Sequence, residues 1–405
     1  MHVVFINQYY PPDVAPTGVL VKKVAGEISA LGHEVSVICG TGGYGGVRQH
    51  GDAQSDERDE AVIHRMKATC FGRRHTAGKV LDYLSFYVLS GICLLRIKKP
   101  DVIVCLTTPP YLSVLGRLAS FLRGSKHSHW VMDLYPDVLD AHGAFQRPFR
   151  GHALLRRLAQ LGWGGERNIG VLTLGPDMKE RTSKYVPSLV RQDWIPLWGT
   201  AAESEEPTPD EVTSLRKRRG WQPTELVLMY SGNMGLGHRF QEFLEVATTE
   251  SDNVRLVFFG RGKRRAEIEA FLEKHPGKAE LHDYVRSEDL AAHLRSADVH
   301  LVSLEPSWDG TMVPSKLQGI FAAGRPVIFV GSTTSSTGQW INESGAGWIV
   351  APGDIGSLRS AIAEATDPSE RARRGFLART YSARYFDGLT NARASARFLL
   401  RSAEV

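Results

Sequence analysis

Apolar residues along this chain fall into short continuous runs, separated by segments in which they recur three and four positions apart. Val3–Ile6, Val35–Cys39, Val62–Met66, Val102–Leu106 and His129–Asp133 read as strands, and the runs that are apolar throughout suit strands buried on both faces. Gly18–Leu31 has helical spacing, with Val21, Val24, Ile28 and Leu31 on one face, and Gly32 reads as its C-terminal stop. Lys79–Ile97 and Tyr111–Leu122 read as further helices. The scheme then repeats. Leu226–Ser231, Val254–Phe259, Val299–Ser303 and Val327–Val330 read as strands, with helices over Gln241–Thr248, Arg264–Lys274, Glu288–Arg295, Ser315–Ala323 and Ile355–Glu364. Such alternation predicts parallel sheets covered by helices. Gly40 to Asp59, rich in glycine and charge, reads as a mobile surface loop, and Trp198–Pro209 as a linker.

The expected fold is therefore α/β, with two Rossmann-like, doubly wound lobes at 1–195 and 200–375 facing each other across a cleft. Ligands of open parallel sheets bind at the carboxyl ends of the strands, so one substrate is expected on each lobe. A chain of 405 residues suits two such domains.

Charge adds a bias. Residues 1–200 carry 24 Lys and Arg against 17 Asp and Glu, while residues 201–405 carry 25 against 27. A basic first half suits an anionic partner or a solvated surface. The basic residues are not interleaved with a stacking aromatic platform, so no nucleic-acid partner is expected. The four cysteines, Cys39, Cys70, Cys93 and Cys105, lack metal-ligand spacing and read as buried free thiols of a reducing compartment. The chain opens directly on a strand-like run, with no signal-peptide pattern. No run of about 18 uncharged apolar residues occurs, so no membrane crossing is expected. Arg73-Arg74-His75 and Lys79, leading into apolar Val80–Leu95, fit either a core helix or a docking surface for anionic lipid.

Three segments carry candidate chemistry. Ser231-Gly232-Asn233-Met234-Gly235-Leu236-Gly237-His238-Arg239 follows a strand, and its glycines permit close approach to a phosphate-bearing ligand, with Arg239 as counter-charge. Gly260-Arg261-Gly262-Lys263 also follows a strand. Pro314-Ser315-Lys316-Leu317 reads as a helix start capped by Ser315, with Lys316 beside it. Each alone also fits an ordinary turn.

Taken in order, these segments resemble family 4 of the retaining glycosyltransferases, with the GT-B fold, in the bacterial O-antigen, capsule and exopolysaccharide branch. Asn7-Gln8-Tyr9-Tyr10-Pro11-Pro12 with Gly18 is similar to the family's first glycine-bearing loop. Leu31-Gly32-His33-Glu34-Val35, Pro100-Asp101-Val102-Ile103 with Thr108-Pro109-Pro110, and Asp133-Leu134-Tyr135-Pro136-Asp137 resemble its other N-terminal signatures. Tyr230–Gly235 and Val313–Leu317 match this branch well.

The resemblance implies a nucleotide-sugar donor and a lipid-linked or glycan acceptor. It also implies final helices at 376–405 that return to the first lobe. Gly18, Gly232, Asn233, Gly235, Gly260, Pro314, Ser315 and Leu317 would line the donor site. Arg239 and Lys316 would balance the diphosphate, with Arg261 a weaker candidate, and Tyr284-Val285 would hold the base. Tyr10, Thr17 and Asp137 would lie on the acceptor side. Asp133, at a strand end, is the candidate base or acceptor contact; it also fits a helix-capping aspartate.

The chain departs from the family at one point. The two glutamates usual before the Ala-Gly-x-Pro segment are replaced by Thr311 and Gly319. A non-catalytic binding protein that lost catalysis with those glutamates therefore stays open beside transfer, as does a nucleotide-sugar epimerase, which shares the two-lobed fold. No metal or other cofactor is expected, and the implied location is cytoplasmic, peripheral on the inner face of the membrane.

Overall fold

The computed structural model describes residues 1–13, 15–41, 61–71, 76–143, 150–199, 206–249 and 253–400. The Gly-rich segment expected as a mobile loop falls almost wholly outside these residues, as do Arg73-Arg74-His75 and part of the Trp198–Pro209 linker. The chain divides into two compact units, Met1–Ile195 with Leu389–Val405, and Pro196–Gly388.

The first unit contains β1 (His2–Ile6), α1 (Pro16–Ala30), β2 (Glu34–Gly40), β3 (Val62–Met66), α2 (Thr76–Arg96), β4 (Val102–Cys105), α3 (Leu112–Arg123) and β5 (Lys126–Trp130). It continues through α4 (Asp137–Ala141), α5 (Arg150–Trp163), β6 (Asn168–Thr173), α6 (Pro176–Thr182) and β7 (Gln192–Trp194). The strands form one parallel sheet in the order β3-β2-β1-β4-β5-β6-β7. β1 and β4 are wholly buried. Leu20, Val21, Val24, Ala25 and Ile28 turn the apolar face of α1 inward. Leu31, expected on that face, is the residue capping the helix and is 52% exposed. The reversal between β1 and β4 is the switch point at which this topology opens a ligand crevice.

Among the described residues one helix segment, Ala77–Arg96 in α2, is long and apolar enough to cross a membrane, with mean hydropathy 1.4. The run without charge that the sequence reading looked for is interrupted by Lys79 and Asp82. Asp82 accepts a hydrogen bond from the Phe71 amide at 2.9 Å. Phe86 and Leu94 of α2 join the core with Val4, Ile38, Ile103 and Leu112.

The second unit contains α7 (Pro209–Arg218), β8 (Leu226–Ser231), α8 (Gln241–Ala247), β9 (Val254–Phe259), α9 (Arg265–Lys274), β10 (Glu280–His282), α10 (Leu290–Ser296) and β11 (Val299–Ser303). It continues through α11 (Lys316–Ala322), β12 (Val327–Val330), α12 (Ser336–Ser344), β13 (Gly347–Val350), α13 (Ile355–Ala365) and α14 (Pro368–Tyr385). Its parallel sheet runs β10-β9-β8-β11-β12-β13, with the switch point between β8 and β11. Leu228, Tyr230, Leu256 and Phe258 from the sheet pack with Phe243 of α8 and Leu358 and Ile362 of α13. Each such large side chain, fully withdrawn from water, contributes about 1.5–3 kcal/mol.

The last helix, α15 (Gly388–Leu400), belongs to the first unit from Leu389 onward. Phe398 packs so closely on Gly170 that a Cβ there would meet its ring at 2.8 Å, and the Arg191 guanidinium lies 4.3 Å above the same ring. The chain thus rejoins the first unit at α15 rather than from 376. α14 stays with the second unit because Gly375 packs directly on the Gly324 backbone and Tyr381 packs on Phe321.

Candidate functional site

The carboxyl end of β8 in the second unit carries the glycine segment. Gly232 donates its amide to Phe259 O at 2.9 Å, Met234 to Arg261 O at 2.8 Å, and Arg264 to Met234 O at 3.0 Å. The loops after β8 and β9 therefore pack backbone against backbone. A Cβ on Gly260 would lie 2.0 Å from Gly232 O, and one on Gly262 would lie 2.3 Å from Met234 O. Gly232, at φ 135°, faces Lys316, whose Cε would meet a Cβ at 2.6 Å. Gly232, Gly260 and Gly262 thus serve close internal packing, where the sequence suggested direct approach of a ligand. Asn233 is exposed and Gly235 half-buried. The amides of Gly235, Leu236 and Gly237 find no acceptor among the described residues.

Lys316 opens α11 and reaches back over this loop. Its Nζ lies 2.7 Å from Tyr230 Oη, 2.9 Å from His238 Nε2 and 3.3 Å from Asn233 O. It also sits 4.4 Å from the centre of the Tyr230 ring. No carboxylate pairs with it among the described residues, and burial pulls its pKa down to about 7. Pro314 and Leu317 are buried and Ser315 exposed. Ser315 makes no capping bond, which corrects that expectation: its φ −72° and ψ 0° do not give the extended cap geometry.

Arg239 behaves differently. The sequence reading made it a free counter-charge; in the structure it is locked between two carboxylates. It contacts Glu242 at 2.5 Å and Glu305 at 2.7 Å, and its backbone exchanges hydrogen bonds with the Ser303 hydroxyl. Glu242 is 1% exposed and also accepts the Gly353 amide at 2.9 Å. Burial pushes Glu242 up, but Arg239 and that amide hold it below the usual carboxylate range. Arg261, likewise, pairs with exposed Asp283 at 2.6 Å. Tyr284 is exposed and donates its hydroxyl to Arg261 O at 3.2 Å, while Val285 packs beside Trp221 and Phe259.

In the first unit the candidates divide the same way. Asp133 follows β5, its amide and that of Met132 both directed at Thr107 Oγ1, at 3.1 and 3.2 Å. Its carboxylate has no partner among the described residues, and burial raises its pKa to about 6. Asp137, the second acceptor-side aspartate, is 3% exposed, ion-paired to Arg181 at 2.8 Å and hydrogen-bonded by the Tyr185 hydroxyl. It corrects the expectation of an available acceptor contact, because its oxygens are already satisfied. Tyr10 is buried, and Thr17 Oγ1 accepts from Asn7 Nδ2 at 3.4 Å. A Cβ on Gly18 would lie 2.9 Å from Tyr10 Cα, so this glycine admits the 9–10 backbone onto α1. A cavity of about 10 Å³ is lined by Tyr111, His129, Tyr135 and Thr107, whose hydroxyl accepts the Asp133 amide, among others. Tyr111 is the only non-glycine residue at positive φ among those described, at 66°.

Residues 225–367 match the family described as "Glycosyl transferases group 1". The second unit carries a group 1 glycosyl transferase domain. Over 380 residues, 90% of this chain and 92% of the other, the sequence is 24% identical to WcaI of Escherichia coli (strain K12), assigned as a colanic acid biosynthesis glycosyl transferase. The fold matches WaaG, a glycosyltransferase involved in lipopolysaccharide biosynthesis, with TM-score 0.72 at 16% identity, covering 98% of this chain and 99% of that one. It also matches HepE of Anabaena, solved in complex with UDP, with TM-score 0.71 at 11% identity, covering 99% and 100%. The chain is a glycosyltransferase with the GT-B fold. Lys316, Arg239 and the glycine segment all lie inside the matched domain, and Asp133 lies outside it.

Several residues of this glycosyltransferase escaped the sequence reading. Tyr230 and His238 stood inside a quoted motif without a role, Ser303 and Glu242 stood outside every motif, and Glu305 stood only as a carboxylate out of register with the missing glutamate pair. No local signal marks His238: the fold buries it to 4% exposed, where both ring nitrogens must find partners. At the family's glutamate positions, Thr311 is buried, with its hydroxyl donated to Trp308 O at 2.8 Å. Gly199 packs on Gly319, where a Cβ on Gly199 would lie 2.8 Å from Gly319 Cα.

Proposed function

We propose that this glycosyltransferase moves a sugar from a nucleoside-diphosphate donor to an acceptor hydroxyl during cell-surface polysaccharide assembly, with retention at the anomeric carbon. The observation that carries the reading is the Lys316 ammonium, which pairs with no carboxylate among the described residues and contacts Asn233 and His238, on either side of the Gly235–Gly237 amides that find no acceptor there. The leaving diphosphate gains negative charge as the glycosidic bond breaks, so a fixed cation and free N–H groups stabilise the transition state more than the ground state. The named roles of WcaI and WaaG and the UDP bound to HepE support a nucleotide-sugar donor and a polysaccharide product. Asp133 is the acceptor-side group: its raised pKa brings a carboxylate nearer neutrality, where a general base works best. Asn233, Ser315 and Tyr284 are exposed at the same unit's loops and complete the donor site; Gly18 and Tyr10 shape the acceptor side. None of these steps uses a metal.

The acceptor is lipid-linked, and the first unit meets the membrane through α2 and α3. Val80, Leu81, Leu84, Val88, Ile92 and Leu95 are exposed on α2, and Leu118, Phe121 and Leu122 on α3. Lys79 and Lys99 supply cations for anionic headgroups.

A panel of nucleoside diphosphates and their sugars tests the donor site by thermal shift; a ligand at 100 times its dissociation constant adds about 2.7 kcal/mol. Transfer assays with and without lipid-linked acceptor then test the reaction. Hydrolysis without transfer, or no response to any nucleotide, overturns the reading.

A further inference from the structure

The three N–H groups of the Lys316 ammonium each have an acceptor, and all three acceptors are neutral. Tyr230 donates its hydroxyl hydrogen to Asn233 O at 2.7 Å, so its oxygen lone pair receives Lys316. Asn233 O receives the second N–H. His238 Nδ1 lies 2.7 Å from Ser303 O. A carbonyl only accepts, so Nδ1 bears the hydrogen and Nε2 presents its lone pair to Lys316 at 2.9 Å. A carboxylate in place of His238 would neutralise the ammonium, and a second cation would repel it. Gly232 completes the arrangement, because any side chain there would displace the Lys316 stem.

We propose that His238 is a positioning residue for the donor diphosphate: its neutral ring, fixed by Ser303 O, holds the Lys316 ammonium against the glycine loop and leaves its charge for the phosphates. This rests on the reading that Lys316 meets that diphosphate. The histidine does not touch the donor itself; it sets where the cation stands.

Two amide substitutions separate its two nitrogens. In His238→Gln the side-chain oxygen reaches the place of Nε2 and can still accept from Lys316, while the bond to Ser303 O is lost. In His238→Asn the amide nitrogen takes the place of Nδ1 and keeps Ser303 O, while Lys316 loses its acceptor. The probe is whichever of UDP, GDP and ADP gives the full-length wild-type protein the largest thermal shift, followed by calorimetric titration. The expected result is at least a tenfold loss of affinity in His238→Asn and less than about threefold in His238→Gln, with the donor KM moving in the same order. Equal losses, or a larger loss in His238→Gln, overturn the proposal, because tethering to Ser303 would then be what matters. Nitrogen NMR of the wild-type ring gives an independent check: His238 stays neutral with its hydrogen on Nδ1 at pH 5.5, and a protonated ring there overturns it. Lys316→Ala distinguishes the layers. If it leaves nucleotide affinity unchanged, the donor-site reading itself fails; if it weakens binding while both His238 variants bind normally, only the positioning role fails.

Discussion

Each unit of this glycosyltransferase holds one charged candidate clasped by opposite charge and another that is not, and tertiary structure sorts both pairs alike. In the second unit Arg239 is clasped by Glu242 and Glu305, while Lys316 bonds only to neutral groups among the described residues. In the first unit Asp137 is clasped by Arg181 and Tyr185, while the Asp133 carboxylate is unpaired among the described residues. Paired groups hold loops together. Unpaired ones, withdrawn from water, shift toward neutrality: Lys316 down to about 7 and Asp133 up to about 6. An unpaired charge withdrawn from water costs stability, so its persistence marks function better than the presence of charge does.

The largest expected effect is on Lys316. Lys316→Ala should slow transfer by about a hundredfold or more, equivalent to about 2–4 kcal/mol of lost transition-state stabilisation, with the melting temperature little changed. Steady-state kinetics and calorimetry on one preparation measure both; undiminished turnover breaks the contrast with Arg239.

Arg239→Ala should reverse that pattern. Removing it leaves Glu242 buried without its ion-pair partner, a loss of about 3 kcal/mol of stability. Denaturant unfolding reads this. A stable variant with abolished nucleotide binding would restore Arg239 as a diphosphate contact.

Asp133→Asn should abolish most transfer and yet stabilise the fold. A carboxyl whose folded pKa lies above its unfolded value penalises folding when ionised. The penalty is absent below about pH 4 and complete above about pH 6. The variant should therefore gain about 1–3 kcal/mol at pH 8 and nothing near pH 4, following from about 1.4 kcal/mol per pKa unit. Melting curves at the two pH values decide it; equal gains at both would show that burial of the charge is not the cause.

The smallest effect is on binding. Lys316 carries its charge below about pH 7 and loses it above, so affinity for a nucleoside diphosphate should fall several-fold between pH 6.5 and 8.5. A bound anion raises the lysine pKa, which keeps the change modest. A pH-independent affinity would place the diphosphate away from this ammonium.

Much of the fold was legible because strand runs and helix spacing are local. Val62–Met66 and Val327–Val330 appear as strands at the bounds read from the pattern. Other bounds moved by a few residues where loops intervene, as with β5, which ends at Trp130 before the turn organised by Thr107. β7 and β10, at three residues each, are too short to declare themselves by periodicity. The candidate site was legible in its segments but less so in its roles. The pattern Gly232–Gly237 announces tight backbone, yet nothing local says that the close neighbour is a lysine 84 positions along, at Lys316.

The sequence alone, through hydrophobic periodicity and motif order, determined two parallel α/β units and the segments that carry chemistry, because those depend on residues near one another in the chain. Only tertiary structure decided which charges are spent on each other and which stay open. Arg239 meets Glu305, Asp137 meets Arg181, and Lys316 meets His238 across separations of 66, 44 and 78 residues. A charge becomes structural or functional according to the partner that folding brings to it, and that partner is invisible until the strands align.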